Sequence, residues 1–268
     1  MKTKPQRALK KQRLPSLPRP LALFVIPGLP EIRKGDNLAR KIVSSAGFSK
    51  LRLEDGDIVV VAQKIVSKAE GRIVNLAAIR PSERANLLSK KLHQDPRFLE
   101  VVLRESRRIV REERVLIAET HHGFVCANAG VDHSNVPGRN RVAWLPKDPD
   151  ASALRLAQAL RRLTGKRIAV VISDTFGRPW RLGITNVAIG LSGVPALFDL
   201  RGTRDRVGKK LRATVLAVAD ELASAAGLLM QKSGGTPVVV IRGYRPPGGQ
   251  TSSTATSIVR PAQDDLFR

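Results

Sequence analysis

Residues 168–188 read IAVVISDTFGRPWRLGITNVA. The apolar run from Ile168 to Ile172 has the composition of a buried strand. It gives way abruptly to a carboxylate (Asp174), a hydroxyl (Thr175), Gly177 and two arginines, Arg178 and Arg181. Hard divalent cations such as Mg²⁺ and Mn²⁺ take oxygen ligands and share them with phosphates. Guanidinium groups suit phosphate or carboxylate. The pattern points to metal-assisted chemistry on an anionic substrate at the exit of a strand. The plainer alternative is that Asp174-Thr175 caps a following helix.

Working outward, Asp148-Pro149-Asp150 starts a helix with Leu154, Leu156, Leu160 and Leu163 apolar, stopped by Gly165. On the other side, the alanine-rich segment Thr214–Met230 reads as a second long helix, followed by a strand at Val238–Ile241. Upstream, Leu21–Ile26 reads as a first strand with a rigid loop at Pro27–Pro30. Asp36 or Asn37 caps a helix that Gly47 ends, and Asp55-Gly56-Asp57 turns into the strand Ile58–Ala62. Pro81-Ser82 and Asp95-Pro96 each open an amphipathic helix, the second carrying Phe98, Val101, Val102, Ile109 and Val110. Strands at Val115–Ala118 and Phe124–Ala127 lead into the polar segment Asn128–Asn135. Helices and strands alternate while several strands follow one another closely, so the expected class is α/β (mixed α+β) with mixed sheets. A domain boundary falls near residues 80–115 or 140–150.

The chain has 268 residues and a formal net charge of +24. Residues 1–20 hold seven of the cations, no acid and four prolines, and read as a disordered basic tail. The remainder still carries a field that attracts polyanions. That field alone is compatible with a nucleic-acid-binding protein. Aromatic content of 4%, with no zinc-finger spacing or RNP-like signature, argues against one. Leu21–Ile26 is too short for a signal peptide or a membrane span, and the single cysteine, Cys126, excludes an internal disulfide. The expectation is a cytoplasmic enzyme.

Further constellations bear on chemistry. Ala127–Asn135 places Asp132 after a second apolar strand, so carboxylates from two strand exits can face one another across a cleft, as in sites that hold cations against polyphosphate. Gln63–Arg72 brings Lys64 and Lys68, four residues apart, as point charges for phosphate, the plainer alternative being a solvated edge strand. Gly202–Lys210 has five residues between its glycines where a phosphate loop has four, and is not one. His121-His122, as neighbours on a strand, point to opposite faces and do not chelate one ion. Asp220-Glu221, on a largely apolar helix, needs a partner, either in orienting the site or in pairing with an arginine.

Together, Gly28–Pro30, Gln63–Arg72, Asn128–Asn135, Leu145–Ser152, Ser173–Arg181, Asp199–Gly208, Ala219–Met230 and Val259–Phe267 resemble the coenzyme F420-0:L-glutamate ligase (F420 gamma-glutamyl ligase) family. The resemblance covers nearly everything after the tail, in the family's order. It implies one ligase domain over residues 21–268, built as a two-domain protomer and forming an intertwined homodimer. It also implies a GTP-dependent enzyme that adds L-glutamate to coenzyme F420-0, with further γ-linked glutamates compatible, through an acyl phosphate. Mn²⁺ or Mg²⁺, two per site, and a monovalent cation such as K⁺ are the implied ions. Position by position, Asp132, Asp174 and Thr175 match metal ligands, and Leu29, Pro30, Glu31, Ile32, Gln63, Lys64, Lys68 and Asn135 match nucleotide contacts. Lys232 falls where some members carry an acidic ligand; a cation there is assigned to a phosphate instead. Lys68 and Arg178 are the candidates for stabilising the transferred phosphoryl group. The competing reading for the same carboxylates is a metal-dependent phosphohydrolase.

Overall fold

A computed structural model describes residues 20–232, 234–245 and 254–265. The basic tail, except Pro20, and Leu266 and Phe267 of the closing segment lie outside them. Eighteen elements follow in order: β1 (Ala22–Val25), α1 (Leu38–Phe48), β2 (Ile58–Ala62), α2 (Gln63–Ala69), β3 (Ile73–Asn75), α3 (Glu83–Leu92), α4 (Pro96–Arg104), β4 (Ser106–Glu113), β5 (Val115–Thr120), β6 (Val125–Ala127), β7 (Arg141–Ala143), α5 (Pro149–Thr164), β8 (Ala169–Arg178), β9 (Arg181–Ser192), β10 (Phe198–Asp199), β11 (Val215–Leu216), α6 (Val218–Met230) and β12 (Val238–Arg242). The class is mixed α/β with several sheets.

The main sheet runs β1-β12-β2-β8-β9. Its pairs are antiparallel except β2 with β8, which run parallel from Ile58↔Ala169 to Ala62↔Ser173. Val59, Val60 and Val61 are fully buried, as are Val170, Val171 and Ile172. Consecutive residues point to opposite faces, so both faces of the sheet are covered; α5, with α1 beside it, and α6 pack on it. Gly190 of β9 allows this closeness: a Cβ there would lie 2.5 Å from the Pro149 carbonyl oxygen.

A second set of buried apolar residues, from Leu76 to Val142, is gathered by α3, α4 and the three-stranded sheet β4-β5-β6. The chain enters this region through β3 and leaves through β7, which pair antiparallel from Ile73↔Ala143 to Asn75↔Arg141. Arg72 secures the junction. Its Nε donates to Leu145 O, its Nη2 to Glu105 Oε2 (2.8 Å), and its guanidinium lies 4.3 Å from the Trp144 ring centroid.

Local signals account for most boundaries. Asn37, Ser82, Asp95 and Asp148 cap α1, α3, α4 and α5 through their side chains, and Gly165 ends α5 at φ 70°. Long-range pairing corrects the rest. Ile109 and Val110 do not extend α4; they belong to β4, where Ile109 pairs with Ala118, because a β-branched stretch with a partner strand favours extension. Gly47 does not end α1, which continues to Phe48 and is capped by Ser49. On α5 the buried stripe is Ser152, Ala153, Leu156, Ala157 and Leu160, while Leu154 and Leu163 face outward. The helix expected from Thr214 begins at Val218, since Val215–Leu216 are held by β10. Most importantly, β8 does not end before Asp174. It continues to Arg178, paired with β9 alone once β2 has stopped.

Charge fixes one end of the inner strands β12 and β2. Arg242, at the end of β12, donates to both oxygens of the fully buried Asp57 (2.8 Å each), to Glu54 Oε1 (2.6 Å) and to Arg52 O (2.7 Å). Removing one partner of a buried pair strands the other. Asp57→Ala is therefore expected to lower unfolding stability by about 3 kcal/mol in urea titration. The exposed Glu54→Ala should cost less than about 1 kcal/mol.

Candidate active site

Because β2 and β8 run parallel, their C-terminal ends open on the same side, a usual place for ligands in such sheets. There a cavity of about 650 Å³ is lined by Leu29–Ile32, by Ala62–Ile65 and Lys68, by Asn135–Pro137, by Ser173–Thr175, by Ile184 and Asn186, by Gly227 and Met230–Lys232, and by Gly235–Pro237. Leu29, Pro30, Glu31, Ile32, Gln63, Lys64, Lys68, Asn135, Asp174, Thr175 and Lys232 thus surround one space. Arg178 does not: it sits exposed near the hairpin end, with Nη2 donating to Leu182 O (3.2 Å).

A pairing shift lies just before Asp174, which lines the cavity. Ile172 pairs with Gly190 and Ser173 with Ala188, so Ile189 is an extra residue in β9. Such a bulge bends the ladder and redirects neighbouring side chains. Burial pushes the Asp174 carboxyl up to about 6. The Thr175 backbone N–H and the charges of Lys64 and Lys232 oppose the shift, while the charge of Asp132 adds to it.

Asp132 reaches the same region from the smaller core. Its backbone exchanges hydrogen bonds with Ala143 of β7 (3.0 and 2.9 Å). Its Oδ1 accepts from Ser134 N (2.8 Å), and its Oδ2 accepts from Ser134 Oγ (2.7 Å) and Lys64 Nζ (2.5 Å). Burial disfavours the charged form, but the Lys64 and Ser134 bonds outweigh it and hold this carboxyl at about 2. Lys64 also donates to Ser134 O (2.9 Å) and contacts Ser134 Oγ.

One turn further along α2, Lys68 is buried and pairs with the exposed Glu31 (2.5 Å). Gln63 is 1% exposed; its Oε1 lies 2.9 Å from Ser67 Oγ, and its Nε2 has no partner among the described residues. A buried amide donor without a partner costs about 1–3 kcal/mol, and here it borders the cavity. Asn135, with φ 58°, donates to Lys232 O (3.2 Å) and so joins the Asn128–Asn135 segment to the end of α6.

Sequence reasoning missed Ser134 and Asn186. Ser134 stands two residues after Asp132, an Asx-turn spacing that could have drawn notice. Asn186 donates to Ser173 Oγ (3.0 Å), and α6 approaches it so closely that a Cβ on Gly227 would lie 2.8 Å from its Cγ and Oδ1. No sequence pattern marks that contact. His121 and His122 sit on a turn rather than a strand, and bond to the carbonyls of Arg104, Pro146 and Lys147. Asp220 accepts from Ala188 N (2.9 Å), so its partner is the backbone of β9 rather than an arginine, one of the two roles open to it. Among the described residues, no helix is long and apolar enough to cross a membrane.

Residues 28–243, which include every segment of the cavity, match the family described as F420-0:Gamma-glutamyl ligase. The chain belongs to that family. Its relatives include three proteins named coenzyme F420:L-glutamate ligase. The one from Methanothermobacter thermautotrophicus is 44% identical over 252 residues, covering 92% of this chain and 99% of the relative. That from Methanopyrus kandleri is 46% identical over 242 residues, covering 89% and 94%. The Archaeoglobus fulgidus protein is 41% identical over 247 residues, covering 92% and 96%. The ligase-family match and the cavity therefore coincide.

The raised Asp174 carboxyl makes a stability prediction for the protein in EDTA. A folded carboxyl raised above its unfolded value binds protons more tightly when folded, so its stabilising effect is full below about pH 3.8 and is lost as pH rises through about 6. Above that, the ionised group disfavours the fold by on the order of 2–3 kcal/mol. Asp174→Asn should accordingly raise the Tm at pH 7.5 and flatten its pH dependence between 4 and 6, measured by differential scanning calorimetry. An unchanged Tm profile would contradict the assigned environment.

Proposed function

We propose that this protein is a GTP- and divalent-metal-dependent coenzyme F420:L-glutamate ligase. The similarity to relatives of that name over 94–99% of their lengths carries the reading. The chemistry of the cavity supports it. A carboxylate is a poor acyl donor because oxide would have to leave. Transfer of the γ-phosphoryl group of GTP to the carboxylate of F420-0 gives an acyl phosphate and GDP. The α-amine of L-glutamate then attacks the acyl carbon, an amide forms, and the C–O bond to phosphate breaks with release of phosphate and a proton.

Oxygen donors for a hard cation are present. Asp132, Asp174 and Thr175 supply two carboxylates and a hydroxyl, and the mutual repulsion of the carboxylates is the strain that a dication relieves. Lys232, on the rim, adds positive charge where a second cation would want a carboxylate. The described residues contain no group of three His, Cys, Asp or Glu side chains placed to hold a metal. Two carboxylates and a hydroxyl leave the remaining coordination positions to phosphate and water. When bound, such a cation neutralises phosphate charge.

The chain's own residues do the rest. Lys68, Lys64 and Lys232 line the space as cations for phosphate oxygens, and preorganised charge of this kind stabilises the transferring group. Gln63 Nε2 offers a donor to the nucleotide, and the Leu29–Ile32 loop with Asn135 bounds the rest of its site. A homodimer is part of this reading. The β8–β9 hairpin presents Trp180 (87% exposed), Leu182 (100%) and Ile184 (54%) to solvent, an apolar end suited to a second copy. In such a pair Arg178 lies at the interface rather than over the phosphates of its own protomer.

The decisive assay incubates the protein with GTP, Mn²⁺, L-glutamate and F420-0 and weighs the product. A mass gain of one glutamyl residue with an equivalent of GDP is expected, and Asp174→Asn should lower turnover at least about a thousandfold. GTP hydrolysis that needs neither glutamate nor F420-0 would instead establish the phosphohydrolase.

A further inference from the structure

The two lysines of α2 enter the cavity on one helical face, four residues apart, yet each is held differently. Lys68 reaches Glu31, on a loop outside the carboxylate pair. Lys64 reaches Asp132 itself. Both oxygens of Asp132 are already in use: Oδ1 by the Ser134 N–H, Oδ2 by Lys64 Nζ and Ser134 Oγ. Lys64 is largely buried, with 15% of its side chain exposed, and Ser134 O and Oγ hold its ammonium from the other side. Its charge also acts on Asp174. The ammonium therefore serves both carboxylates that a cation would serve.

We propose that Lys64 is a built-in counter-ion of Asp132, competing with a divalent cation for that carboxylate until a nucleotide phosphate draws the ammonium away. This deepens the metal reading given above and rests on it. The physical basis is charge balance. A dication entering beside an ammonium meets repulsion and has to displace a charge-assisted hydrogen bond. A phosphate offers Lys64 a second anion within the same cavity and frees Asp132. Cation and phosphate then favour each other's binding, because coupling between two ligands is reciprocal.

The test uses the full chain stripped with EDTA. Mn²⁺ alone is titrated by electron paramagnetic resonance of the free ion, and GDP alone is titrated by calorimetry in EDTA. Lys64→Met is expected to bind Mn²⁺ at least about tenfold more tightly than wild type and GDP at least about tenfold more weakly. A folding defect would weaken both. Lys68→Met removes an equal charge from the same cavity and should change Mn²⁺ affinity less than about threefold. Equal tightening in both variants would reduce the effect to general charge and overturn the proposal. So would an unchanged or weaker Mn²⁺ affinity in Lys64→Met while Asp174→Asn lowers it, and the metal reading would then stand alone. Mn²⁺ affinity indifferent to Asp174→Asn would remove both.

Discussion

The single parallel pair in the main sheet, β2 with β8, is the constraint from which the site follows. Ala62 and Ser173 are register partners, so the next residues on each strand, Gln63 and Asp174, emerge side by side. At that point the two chains part. β2 becomes the helix α2, which turns Lys64 and Lys68 toward the opening, while β8 continues as a hairpin with β9. An antiparallel pairing would have sent these ends to opposite ends of the sheet, and the lysines of α2 would not share a cavity with Asp174.

The electrostatics of the cleft are those of a site built for a ligand it must also do without. Asp132 and Asp174 repel each other, and the protein answers differently at each. Asp132 is kept ionised by Lys64 and Ser134, while Asp174 is raised toward neutrality by burial. Groups pushed apart in this way recur at sites of chemistry. Gln63 Nε2, buried without a partner among the described residues, follows the same logic. The rest of the fold supplies the compensating stability, through the continuous apolar strands and through Asp57 with Arg242.

Much of this was legible in the chain itself. The runs Val59–Val61, Val170–Ile172 and Val238–Ile241 read as strands because they are short, β-branched and uninterruptedly apolar, as in a sheet covered on both faces. Asn37, Ser82, Asp95 and Asp148 announced helices because each can satisfy free N–H groups locally. What local signals could not show was pairing. Ile109 and Val110 sit seven to nine residues beyond Val101 and Val102, a spacing equally consistent with one more pair of helical turns, and only β5 decides for a strand. Likewise Asp174 and Thr175 look terminal because hydrophobicity ends there, whereas the hairpin persists on backbone bonds to β9. In the site, Asp174, Asp132 and the lysines were readable as residue types at strand ends. The clamp of Lys64 on Asp132, 68 residues apart in sequence, and the fit of Gly227 against Asn186 depend on tertiary placement alone.

Val131, beside Asp132, is buried with the smaller core, whereas Ser173, beside Asp174, belongs to the main sheet. The two carboxylates are thus carried by different hydrophobic clusters, and the reach of Lys64 from α2 to Asp132 crosses between them. Arg72, bonded to Leu145 O and Glu105 and lying over Trp144, fastens the same two clusters at a point well away from any reacting atom.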